Sequence, residues 1–230
     1  MLFRAAVEDI EANHHVCWVF DLPGCFSSAR TPDEAIARAP ARIADYFAWI
    51  AGHEPAVPIP PDPIEADVVE IFEGYTSSED PDYLVNAFFE DDGRPLSCRD
   101  VAMGLRLLEW LRRDLLAVVE RLAPERLHER IRHEVRGSIA GILEHVAGAE
   151  NWYLDQLNAS IDWPSLPEGV FGKLEGVRGN TRSQLPKLIG EERITEHCGE
   201  RWSARKVLRR TLWHERAHTE QIARLLAGGA

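Results

Sequence analysis

The sequence predicts an α+β module followed by an all-α four-helix bundle, with helix predominating overall. Three observations carry this. Short runs rich in Val, Phe and Trp, which read as strands, occur before about Tyr75. From Arg94 onward apolar residues recur at helical spacing, with no strand pattern between them. A Pro-rich stretch and then an acidic one separate the two regions. The expected organisation is a module over residues 1–75, a linker over 76–93 and a helical domain over 94–230.

In the first region Phe3 to Ile10 and His15 to Leu22 are strand-like, and Asp21-Leu22-Pro23-Gly24 is a turn. Thr31-Pro32-Asp33-Glu34 opens a helix: the Thr31 hydroxyl can cap the first amides, Pro32 suits the first helical position, and Glu34 can bond back. Ala35, Ile36, Ala39, Ile43, Phe47 and Ile50 form its apolar face. Pro55 to Pro63 excludes helix and inner strand, and Asp67 to Phe72 reads as another strand. The expected module packs its helix on an antiparallel sheet. The segment 76–93 is loop-like, with Tyr83 to Phe89 as an apolar anchor.

In the second region Ser97-Cys98-Arg99-Asp100 is a capping box. The helix after it has Val101, Leu105, Leu108, Leu111, Leu115, Val118 and Leu122 on one face. A second helix starts near Ser138 and runs toward Leu157. A weaker third covers about Phe171 to Leu185 and is interrupted by Pro186. The last begins after Ser203 and runs to Leu226, stopped by Gly228-Gly229. Four helices without intervening strands are expected to bundle.

The 230 residues carry a formal net charge of −12, which argues against a broad electrostatic grip on nucleic acid or anionic lipid. No segment has the ~20 apolar residues of a membrane span, and the N-terminus lacks the pattern of a signal peptide. Cys17, Cys25, Cys98 and Cys198 form no C-x-x-C pair, which fits free thiols in a reducing cytoplasm.

The chemistry concentrates in three histidines. His214 and His218 are four residues apart on the last helix, so both imidazoles share a face about 6 Å apart along the axis. They lie on the stripe Val207, Thr211, His214, His218, Ile222 and Leu225. His145 lies on a matching stripe of Ser138, Ile142, His145, Ala149 and Trp152. Three inward histidines are costly unless bonded, and a shared divalent metal meets that need. Three protein ligands leave a position open, as catalytic sites do. A single inward histidine is more often a satisfied core residue; the pair plus a third on another helix tips the balance to metal.

His214-Glu215-x-x-His218 also matches the H-E-x-x-H pattern of zinc peptidases, with Glu215 as base. Only Thr219 to Ala230 follow, with no helix for a third ligand and no strand to align a peptide. A peptidase is therefore not expected, and Glu215 reads as a solvated charge. Arg178, Arg182 and Arg209 read as surface arginines that could meet an anionic substrate. His14, His15, His128 and His133 read as solvated, and His197 and Cys198 as outside the site.

The stretch Ile139-Ala140-Gly141-Ile142-Leu143-Glu144-His145-Val146-Ala147-Gly148-Ala149-Glu150-x-Trp152-Tyr153-Leu154 resembles the second helix of the DinB-like (DinB/YfiT) proteins. Val207-Leu208-Arg209-x-x-Leu212-Trp213-His214-x-x-x-His218-x-x-Gln221-Ile222 resembles their fourth. The resemblance spans roughly Ser97 to Leu226. It implies a four-helix bundle, often a homodimer, with His145, His214 and His218 holding zinc, nickel or iron. Some relatives use low-molecular-weight thiols, as S-transferases or a thiol-dependent isomerase, which implies a metal-activated thiolate here. Many relatives have no known activity.

Val19-Phe20-Asp21-Leu22-Pro23-Gly24-Cys25-Phe26 followed by Thr31-Pro32-Asp33-Glu34-Ala35-Ile36 resembles the HicB-like, antitoxin-type module. That resemblance implies a partner-binding domain, but no DNA-binding tail follows it. Three functions compete: a metal-dependent thiol-using transferase or related hydrolase acting on a small-molecule or thiol substrate, a partner-binding module with a structural metal, and a dimeric scaffold. No residue beyond the three histidines is singled out as catalytic.

Overall fold

The computed structural model describes residues 1–56 and 63–228, so most of the Pro-rich stretch and Gly229 lie outside the described residues. The chain forms two compact units. One comprises residues 1–94 and 194–202, the other residues 95–193 and 203–230.

The first unit is built on a four-stranded sheet of order β3-β2-β1-β4: β1 Leu2–Glu11, β2 His14–Val19, β3 Phe26–Ala29 and β4 Glu65–Phe72. Helix α1, Pro32–His53, starts as its sequence dictates, with the Thr31 hydroxyl accepting from the Glu34 amide at 3.3 Å. Its Ala35, Ala39, Ile43 and Tyr46 pack on Phe3, Ala5, Val7, Cys17 and Val19, the alternate residues that face one side of the sheet.

The sheet departs from the antiparallel expectation. β4 pairs in parallel with β1. α1 crosses the sheet between β3 and β4 and returns the chain in the direction it left, which is what a helical crossover does. β3 is a further strand, short and Ser-rich, that the hydrophobic pattern did not reveal.

Residues 76–93, expected as a linker, are part of the first unit. β5 (Tyr75–Thr76) and β6 (Leu84–Val85) form a hairpin. The buried Glu8 carboxylate, on the sheet face opposite α1, accepts from the Ala87 amide at 2.6 Å. A second hairpin, β7 (Thr195–His197) and β8 (Glu200–Trp202), joins this unit from far along the chain. The buried Glu200 anchors it, accepting from the Tyr83 hydroxyl at 2.8 Å and the Asn86 amide at 3.1 Å. His197 and Cys198 therefore belong to the first unit, with the His197 ring against Tyr83.

The second unit is helical: α2 Cys98–Val119, α3 Pro124–His128, α4 Ile139–Asp155, α5 Val170–Gln184 and α6 Ala204–Ala227. Ser97, Ser138 and Ser203 each accept a backbone N–H at the first turn of α2, α4 and α6. Pro186 ends α5, and the chain tightens into a 3-10 turn over Leu185–Leu188. α6 packs against both α2 and α4, and α4 also packs against α5. Gly104 sets the α2–α6 approach: a Cβ there would lie 2.8 Å from Leu208. Leu115, Val119, Ile142, Leu143, Val146, Leu174, Val177 and Ile222 form the core. No helix among the described residues is long and apolar enough to cross a membrane.

Candidate metal centre

The periodicity of α4 and α6 brings His145, His214 and His218 together. Their nearest ring nitrogens all lie within 4.8 Å of one another. His214 Nε2 stands 3.0 Å from His145 Nε2 and 3.1 Å from His218 Nε2. His214 is buried, whereas His145 and His218 are half-buried and open the cluster toward the surface. The Tyr153 and Trp213 rings flank His214 at 5.9 and 5.8 Å.

The hydrogen bonds around the cluster fix where the lone pairs are. Gln221 Nε2 donates to Glu134 Oε2 at 2.9 Å, which turns the amide oxygen toward His218. His218 Nδ1 donates to that oxygen at 2.6 Å, so its Nε2 carries a lone pair. His145 Nε2 accepts from Arg136 Nη2 at 3.3 Å, and a guanidinium has no lone pair to offer. His214 Nε2 lies within 3.1 Å of both other Nε2 atoms, and a single proton on it cannot point at both. Three ring nitrogens converging this closely fit a cation. Zinc–imidazole bonds of about 2.0–2.1 Å would set three nitrogens about 2.9–3.4 Å apart, in line with the two distances above.

The electrostatics favour the same species. Burial lowers the His145 pKa to about 4, with the charge of Arg136 and then His218 adding to the effect. Burial pushes His214 well below its ordinary value, reinforced by His218, His145, Arg210 and Arg136. Burial also lowers His218, against the opposing hydrogen bond to Gln221. The cluster is neutral at pH 7, the ligand form. The Glu134–Gln221–His218 chain orients the His218 ring as carboxylates do behind metal-bound imidazoles.

Glu215 is not a solvated charge. It is 1% exposed and points away from the histidines, because one residue on a helix is a turn of about 100°. Its Oε1 accepts from Arg112 Nε at 2.6 Å and its Oε2 from Arg178 Nη2. Glu150 on α4 is equally buried, accepting from Arg178 Nε at 2.8 Å, Arg112 Nη2 at 3.1 Å and the Thr181 hydroxyl at 2.5 Å. Two arginines and two glutamates thus form a neutral buried square that ties α2, α4, α5 and α6 together. The square removes Glu215 from any role as a base toward the cluster, and the H-E-x-x-H match is a coincidence of spacing. Arg178, expected at the surface, is a member of the square. Arg182 is exposed and paired with Glu175 at 2.6 Å, and Arg209 is half-buried.

A family model for the DinB superfamily matches residues 107–222, a span that contains all three histidines, Glu150 and Glu215. The chain belongs to the DinB superfamily. Members of this superfamily commonly bind metal. No match was found among curated proteins or among solved structures. In this DinB-superfamily chain the sequence pattern located the histidines. It passed over Glu134 and Arg136, which lie in the turn that Gly137 closes before α4.

Proposed function

We propose that this protein binds one divalent metal ion through His145, His214 and His218 and uses it in thiol-dependent transfer chemistry. The convergence of three ring nitrogens on imidazoles kept neutral by burial supports the reading. In it, α2, α4, α5 and α6 are the four-helix bundle of DinB-like proteins, and zinc, nickel or iron is the ion. His214 is the buried ligand, and His145 and His218 hold the side that faces outward. Gln221 and Glu134 keep the His218 proton on Nδ1. A bound ion would lower the pKa of a thiol at its open side, so that thiolate forms near neutral pH.

Elemental analysis of tag-free protein tests this directly. About one equivalent of zinc, nickel or iron is expected in the native chain and none in a His145→Ala/His214→Ala/His218→Ala variant. Equal metal in both, or none in either after reconstitution, would remove the ion from the function.

A second reading gives the first unit a partner-binding role as a HicB-like module, in a homodimer or with another protein. In its favour, β4 is an edge strand whose Val69 and Ile71 are 49% and 69% exposed. Such an edge offers main-chain groups to an added strand. A partner captured by the full chain should be lost on Ile71→Lys. An unchanged partner set, or none, would count against this role.

A further inference from the structure

Arg136 lies in the turn between α3 and α4 and is exposed, yet its guanidinium is directed at the histidine cluster, 3.3 Å from His145 Nε2. Among the described residues the contact recorded for its guanidinium is with this ring nitrogen and not with a carboxylate, in a chain that carries an excess of acid. We propose that Arg136 is the anion-recognition residue of the site, binding a negatively charged group on the ligand that occupies the open side of the metal. The proposal rests on the metal-binding reading above and names its substrate class: a thiol, or another metal ligand, that also carries a carboxylate, sulfonate or phosphate.

The turn that presents Arg136 is built rather than loose. The Ile131 amide donates to Gly137 O at 2.8 Å, and the Gly137 amide to Glu134 O at 2.9 Å. Two residues take positive φ to make it, His133 at 69° and Gly137 at 78°. The Glu134 carboxylate clamps it at both ends. Oε1 accepts from the Arg136 amide at 3.1 Å, and Oε2 accepts from Gln221, which in turn holds His218. The turn is thereby fixed to the same helix that carries two of the ligands.

The start of α4 is shaped to receive it. A Cβ on Gly141 would lie 2.1 Å from Arg136 O, a distance no side chain tolerates. Gly141 is one helical turn before His145 and on the same face. The missing side chain lets the Arg136 backbone lie against the first turn of α4, and this brings the guanidinium to His145.

Charge decides what Arg136 can bind. A guanidinium stays protonated and cannot ligate a cation, so it competes with an ion for the His145 lone pair. With the ion in place the guanidinium must face elsewhere on the open side. The charges at the open side are then the ion and Arg136, against Glu134, whose oxygens are already engaged. The three imidazoles are neutral. A site with this cationic surplus selects an anion, and a guanidinium fork grips planar or tetrahedral oxyanions through two N–H groups.

The test uses the full chain loaded with cobalt(II), whose visible spectrum reports binding without turnover. Two thiols of similar length are titrated, 2-mercaptoethanesulfonate and 2-mercaptoethanol. Arg136→Met should keep its cobalt and bind the sulfonate about 10- to 100-fold more weakly, the loss typical of a charged hydrogen bond. Its affinity for 2-mercaptoethanol should stay within about twofold, and Arg136→Lys should recover part of the sulfonate affinity. Equal weakening of both thiols, no weakening of either, loss of cobalt from Arg136→Met, or a wild-type protein that takes neither thiol overturns the proposal. A wild-type chain that takes up no cobalt overturns the metal reading itself, and the role of Arg136 falls with it; that outcome is visible before any thiol is added.

Discussion

Arg178→Met is expected to lower the stability of the second unit by about 3–5 kcal/mol, a typical cost of breaking a buried ion pair from one side. Arg178 bonds both Glu150 and Glu215, and it donates to Leu108 O as well. Removing it leaves two carboxylates buried with Arg112 alone to balance them. Their environment favours charge only while the arginines are present: against the opposing effect of burial, Arg178 and Arg112 hold Glu150 down at about 2. Methionine fills much of the space, so the loss reports charge rather than a cavity.

The decisive comparison is with Arg178→Met/Glu215→Gln. That double variant removes one charge of each sign and keeps the Arg112–Glu150 pair, 3.1 Å apart. It should be more stable than Arg178→Met alone in urea unfolding followed by circular dichroism. A double variant that loses the sum of the two single losses would mean that the square is four independent contacts.

The square also shows where sequence reasoning stops. Helix faces follow from a local period, so the inward direction of His145, His214 and His218 was legible from spacing alone. So were the caps at Thr31 and Ser97 and the start of the last helix after Ser203. Glu150 and Glu215 sat on other faces of the same two helices, where a carboxylate reads as solvated unless its partners are known. Those partners, Arg112 and Arg178, are on other helices as many as 103 residues away in the chain. Strand direction was illegible for a similar reason. Whether β4 runs parallel to β1 depends on the path of α1, not on the residues of β4. The β7–β8 hairpin joins the first unit through Glu200, whose partners Tyr83 and Asn86 lie more than 100 residues earlier.

The histidine cluster makes the metal-free protein acid-sensitive in a definite window. All three pKa values are lowered on folding, so the native state binds fewer protons than the unfolded chain as pH falls. The stability is fully present above the unfolded value of about 6.5 and is lost as pH falls toward about 4, where His145 protonates in the folded state. Arg136 adds to this for each histidine, Arg210 adds to it for His214, and Glu134 opposes it at His218. Glu150 acts in a different window, between its unfolded value and about 2, so the two contributions separate on the pH axis. Urea midpoints of the metal-free protein should fall steeply from pH 6.5 to 4. The variant with all three histidines replaced by alanine should be flatter over that interval and fall only at lower pH. On the proposed reading a bound ion would move the curve for the same reason: ions and protons compete for the same lone pairs. An ion held at about 1,000 times its Kd adds about 4 kcal/mol at neutral pH, through mass action on the folded state. Because burial keeps the imidazoles neutral, that increment should persist at pH 6, where unperturbed histidines would be largely protonated. Coincident pH profiles for wild-type and variant chains would show that burial of these rings, and not only the ion, had been misjudged.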